Sequence, residues 1–221
     1  MRSVIFDLDG TLADTSGDLV RAANATFAGL GLAVRLDARA DAGLAMRGGR
    51  AMLGQGLARA GLPVDAAVIE RGYAALLDHY ARDICRDSAL YPGAMEAVGQ
   101  LGAMGYRVGI CTNKPEALAD ALLRALGVRD AFACLVGGDT LPVRKPDPAP
   151  LIESVHRVGG DPARACLVGD TESDHGAARA AGMPSLLVTF GPDGGAVRAL
   201  APDALVARFA DLPDAVAALE L

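Results

Sequence analysis

Four short segments of this chain carry side chains that belong together chemically: Asp7-Leu8-Asp9-Gly10-Thr11, Thr112-Asn113, Lys145-Pro146, and Gly169-Asp170 followed by Asp174. Asp7 and Asp9 stand two apart where the run Ser3-Val4-Ile5-Phe6 stops, so both side chains can turn toward one site. Gly10 allows a sharp turn there, which the Thr11 hydroxyl can cap or brace. One carboxylate can attack phosphorus while a divalent cation offsets its repulsion from an anionic substrate. The other can protonate the leaving oxygen and later take a proton from water. Thr112 and Asn113 offer a hydroxyl and an amide that bind phosphoryl oxygens without adding charge. Lys145, in the proline-rich stretch from Val143 to Pro148, can stabilise charge in transfer and orient the nucleophile. Asp170 is the kind of oxygen ligand that Mg2+ prefers. Asp174, one turn further on, can ligate through water or support Lys145. The set suits phosphoryl transfer through an aspartyl phosphate.

Each segment also has a plainer reading. Asp-Gly is a common turn, Thr-Asn a natural helix N-cap, and Asp174 a favourable charge at a helix start. Lys145 alone would pass for a surface lysine. The order of the four, and the place of the first, second and fourth where a strand stops, is what favours the chemical reading. His79, His156 and His175 are scattered, and only His175 lies near the acidic segments, as an expected half-exposed helix residue. Without a His cluster or a Cys ligand set, zinc is not expected.

The elements that must position these groups alternate along the chain. Strands are expected at 3–6, 106–111, 133–136, 165–168, 185–188 and 204–206, with helices at 116–126, 148–158, 172–181 and 212–219. That alternation predicts a doubly wound parallel sheet, whose ligands sit beyond the carboxyl ends of its strands. From Ser16 to Asp87 the pattern is helical instead, with helices ending at Gly31 and covering about 49–59 and 65–86, and no strand. The expected organisation is a core of 1–15 and 88–221 with a helical insert at 16–87.

The 221 residues are 52% hydrophobic and 22% charged, which fits a globule, and aromatics are only 4%, so small aliphatic side chains must fill the core. A net charge of −6 argues against a general nucleic-acid binder. No apolar run approaches the roughly 20 residues of a membrane span, and a strand so near Met1 leaves no room for a signal peptide. Cys85, Cys111, Cys134 and Cys166 form no Cys-x-x-Cys pair and are expected to be buried and reduced, in keeping with a cytoplasmic protein.

With the four segments in this order, the chain resembles the haloacid dehalogenase-like hydrolases over essentially its full length. Within them it is most similar to phosphoglycolate phosphatases, through Asp7 to Asp14, Tyr91-Pro92-Gly93, Arg144 to Pro148, and Asp170 to Gly182. The resemblance implies a Rossmann-like core with a helical cap inserted after the first strand. It implies an enzyme that hydrolyses a small phosphorylated metabolite, with 2-phosphoglycolate as the leading substrate and another small phosphoester, or sugar-phosphate isomerisation on the same core, as the alternatives. A monomer or homodimer is expected. By that resemblance Asp7 is the nucleophile and a Mg2+ ligand, and Asp9 is the acid/base with its backbone carbonyl on the metal. Thr112 and Asn113 hold phosphate, Lys145 neutralises it, and Asp170 completes the metal site, with Thr11 and Asp174 supporting. Arg47 and Arg50 are the cap residues expected to meet a substrate carboxylate. The absence of lysine between Ser16 and Asp87 argues against phosphonate cleavage, and the presence of Asp9 against dehalogenation.

Overall fold

The computed structural model describes residues 1–192 and 194–221, which form two compact units: Met1–Asp14 with Leu90–Leu221, and Thr15–Ala89. The first unit is built on a parallel sheet of six strands, β1 (Ser3–Phe6), β2 (Arg107–Cys111), β3 (Leu135–Val136), β4 (Ala165–Gly169), β5 (Ser185–Val188) and β6 (Ala204–Val206). Their spatial order is β3-β2-β1-β4-β5-β6, which is the doubly wound arrangement with β1 in the middle. All four residues of β1 are buried, as a strand covered on both faces requires. Ile5 packs in one cluster with Cys111, Leu167, Leu151, Val155 and Ala178, so the helices Ala149–Arg157 and Glu172–Ala180 cover that face.

Gly109 in β2 shows how closely this layer is packed. A Cβ there would lie 2.6 Å from Cys134 Sγ and 2.8 Å from a Val158 methyl group, so only glycine fits without displacement. One core helix, Ala94–Ala103, lies outside the elements expected from the sequence, although Ala94, Ala97, Val98 and Leu101 form its buried stripe. Strand β3 is shorter than the expected 133–136. The ladder nonetheless reaches back, because Ala133 N donates to Val108 O and Ile110 N donates to Cys134 O, both at 3.0 Å.

The second unit is built on four helices, Ser16–Gly29, Ala42–Met46, Gly49–Arg59 and Ala66–Arg82. The five-residue helix Ala42–Met46 is an addition to the helices expected from the sequence. Gly56 faces Phe27 across two of these helices, and a Cβ there would fall 2.1 Å from Phe27 Cζ. The buried Asp18 carboxylate accepts from Asp87 N (3.0 Å), Ser88 N (2.9 Å) and Ser88 Oγ (2.6 Å), joining the first turn of the unit to its last residues. Of the four cysteines, all free, Cys111, Cys134 and Cys166 are buried, whereas Cys85 is half-buried. No helix among the described residues is long and apolar enough to cross a membrane.

Candidate functional site

Register brings the acidic and neutral segments to one edge. Phe6 stands opposite Ile110 on one side and Val168 on the other. Asp7 N donates to Val168 O and Thr112 N donates to Val136 O, both at 2.9 Å, so β1, β2 and β4 end together. After Asp7 the chain turns at once: Leu12 N and Ala13 N both donate to Leu8 O, and Gly10 N donates to Ala13 O. Gly10 has φ of 83°, in the left-handed region that side chains other than glycine resist. The turn therefore holds Asp7 and Asp9 on rigid backbone.

Lys145 is the positive centre of the edge and only 3% exposed. Its Nζ lies 2.6 Å from Asp174 Oδ1 and 3.0 Å from Asp7 Oδ1, and it donates to Cys111 O at 2.7 Å. The peptide bond from Lys145 to Pro146 is cis. Burial works against the charge on this lysine, but Asp174 and Asp7 outweigh it and hold the ammonium well above its ordinary pKa. Asp174 is fully buried, and its other oxygen accepts from Thr171 N (3.0 Å), Thr171 Oγ1 (2.5 Å) and Asp170 N (3.3 Å). The Thr171 hydroxyl in turn accepts from Asp174 N, which makes a capping box at the start of the helix Glu172–Ala180. Gly169 leaves the room for this, since a Cβ there would sit 2.4 Å from Asp174 Cβ.

Asp7, Asp170 and Asp174 place carboxylate oxygens within 4.8 Å of one another. The Asp170 Oδ1 accepts from the Thr11 hydroxyl at 2.8 Å, while its Oδ2 is buried with no hydrogen-bond partner. Burial, then repulsion from Asp7 and Asp174, push the Asp170 carboxyl well above its ordinary pKa. Asp7 is likewise pushed up to about 6, by burial first and by Asp174 and Asp9 next, against the pull of Lys145. Two buried carboxylates that resist ionisation, one with an orphaned oxygen, fit a hard divalent cation. Asp174, with both oxygens engaged, does not have the same capacity.

Asp7, Asp9, Thr11, Thr112, Asn113, Lys145, Asp170 and Asp174 all belong to the sheet unit, and Arg47 and Arg50 to the helical one. Several local expectations change. Thr11 reaches Asp170 rather than bracing its own turn. Thr112-Asn113 is not a helix N-cap, because the next helix begins at Glu116 behind Pro115. Instead Thr112 Oγ1 accepts from Lys114 N at 3.2 Å, and Asn113 Nδ2 donates to Lys145 O at 2.9 Å. His175 is buried, not half-exposed, with Nδ1 hydrogen-bonded to Ser185 Oγ at 2.8 Å. Arg47 is exposed. Arg50 gives Nε and one terminal nitrogen to Glu70 at 2.6 and 2.8 Å and lies over the Tyr73 ring, 3.7 Å from its centroid.

One charged neighbour lies outside the residues that the sequence points to. Lys114 is buried, and its Nζ donates to both Asp9 oxygens, at 2.9 and 3.2 Å. A signal for it exists: Lys114 and Lys145 are the only two lysines in the chain, and all other basic side chains apart from histidine are arginine.

The model of the family described as haloacid dehalogenase-like hydrolase matches residues 1–182. A phosphoglycolate phosphatase of Mesorhizobium japonicum is 41% identical over 209 residues, covering 93% of this chain and 90% of that protein. One from Rhodospirillum rubrum is 42% identical over 219 residues, covering 96% and 90%. The crystal structure of a predicted phosphoglycolate phosphatase from Haemophilus somnus superposes with a TM-score of 0.83 at 26% identity, covering 96% of each chain. The chain belongs to the haloacid dehalogenase-like hydrolases.

Proposed function

We propose that this protein is a Mg2+-dependent phosphatase that hydrolyses 2-phosphoglycolate through an aspartyl phosphate on Asp7. The observation that carries the reading is the buried pair Asp7 and Lys145 at 3.0 Å, set beside Asp170 with its unpartnered oxygen. Asp7, at the end of β1, is the nucleophile: its oxygen bonds to phosphorus as the ester P–O bond breaks. Asp9, two residues along on the same turn, gives the departing glycolate oxygen a proton and later takes one from the water that cleaves the acyl phosphate. Thr112 and Asn113 hold phosphoryl oxygens beside Lys145, whose ammonium offsets charge on the group in transfer. Asp7, Asp170 and the backbone carbonyl of Asp9 hold the Mg2+ ion. When bound there, Mg2+ supplies positive charge against the mutual repulsion of carboxylates and phosphate. Asp174 fixes Lys145, and Thr11 fixes Asp170. Arg47 and Arg50 are proposed as the helical unit's contribution to anion binding, with Arg50 having first to leave Glu70.

The relatives' substrate supports 2-phosphoglycolate over other small esters. The experiment is a panel of phosphorylated metabolites, ranked by kcat/KM with and without EDTA. 2-Phosphoglycolate is expected to rank first, and EDTA to remove turnover reversibly. A low rank for it would discard the substrate while leaving the chemistry, and full activity in EDTA would discard the metal.

A further inference from the structure

Resting on the phosphoglycolate reading, we propose that Lys114 is the specificity residue that receives the substrate's carboxylate. Its reach is set by connectivity. Asp9 serves the ester oxygen of the substrate and so must stand within hydrogen-bond distance of it. In 2-phosphoglycolate the carboxylate carbon is only two bonds from that oxygen. Lys114 Nζ lies 2.9 Å from one Asp9 oxygen and 3.2 Å from the other, which puts the ammonium within one contact of where the carboxylate must come.

The chemistry also matches. A carboxylate is the group that Lys114 already holds, so the substrate offers it a second ligand of the same kind. Lys145 cannot serve in this way, because Asp174, Asp7 and the Cys111 carbonyl surround its three N–H groups. Arg50 is engaged by Glu70 and Tyr73. Position is secured by the backbone around Lys114. Its N–H donates to Thr112 Oγ1 and its carbonyl accepts from Gly138 N at 2.8 Å. Gly138 comes so close that a Cβ there would meet Asn113 O at 2.3 Å. The lysine thus rises from a fixed loop next to the phosphate-binding pair, where it can meet the second anionic end of the substrate.

Ethyl phosphate tests this, because it replaces the carboxylate with a methyl group and keeps the phosphomonoester. In Lys114→Met the preference for 2-phosphoglycolate over ethyl phosphate, as a ratio of kcat/KM, is expected to fall about thirtyfold or more, as loss of a charge-assisted contact implies. Lys114→Arg, which keeps the charge, is expected to retain part of the preference and to raise KM for 2-phosphoglycolate more than for ethyl phosphate. If both esters lose activity in parallel in either variant, Lys114 serves only Asp9 and the proposal fails. An unchanged ratio overturns it as well. If Lys114→Met does not fold, the KM comparison in Lys114→Arg decides. A wild-type enzyme that prefers ethyl phosphate would instead reject the phosphoglycolate reading itself, before any variant is made.

Discussion

Asp7→Asn is expected to lower turnover by a factor on the order of 10⁴ or more, because an amide oxygen cannot replace a carboxylate as nucleophile. The substitution is close to isosteric, so the loss is chemical rather than architectural. Stability should move the other way. In the metal-free protein Asp7 is pushed up to about 6, chiefly by burial, so its ionisation is disfavoured by the fold. A carboxyl raised in the folded state binds its proton more tightly there than in the unfolded chain. Its contribution to stability is therefore present below the unfolded value of 3.8 and is lost as pH rises toward about 6. Asparagine carries no charge at any of these values. Thermal melting of metal-free protein at pH 8 should then place Asp7→Asn at or above wild type. A variant that melts several degrees lower would show that the pairing with Lys145 outweighs burial, and an active one would remove Asp7 from the chemistry.

Asp174→Ala should cost the most stability of any single change at the site, about 3–5 kcal/mol, the range for breaking a buried ion pair from one side. Two losses combine. Lys145 keeps its burial but loses its partner at 2.6 Å, and the helix Glu172–Ala180 loses its capping box. Asp174→Asn separates them, since an amide oxygen still accepts from Thr171 and Asp170 while the charge is gone. Chemical denaturation of the three proteins is expected to rank wild type above Asp174→Asn and Asp174→Ala last. Equal stabilities for Asp174→Ala and wild type would mean that Asp7 alone suffices to hold Lys145.

The sheet is legible in the sequence because its strands are short apolar runs stopped by chemically distinctive residues. Ile5, Ile110 and Val168 mark three of them, and the acidic or neutral segments begin where each ends. The helix Ala94–Ala103 is not legible: Gly99 and Gly102 lower its local propensity, and its buried stripe is mostly alanine and valine. His175 reads as half-exposed because nothing nearby in sequence announces Ser185 as its partner. Distance along the chain hides the rest. Thr11 and Asp170 are 159 residues apart, Lys114 and Asp9 105, and neither contact leaves a periodic trace. The composition holds one clue that periodicity does not, in the scarcity of lysine.

That scarcity has a consequence for how the molecule can be watched. With Lys114 and Lys145 at 8% and 3% exposure, the accessible side-chain cations of the folded chain are arginines. Reagents directed at amines thus find no lysine side chain to attack while the strand edge is intact. Any adduct at either position is a timestamp of exposure, and the two rates together form a native chemical clock for the opening of the site.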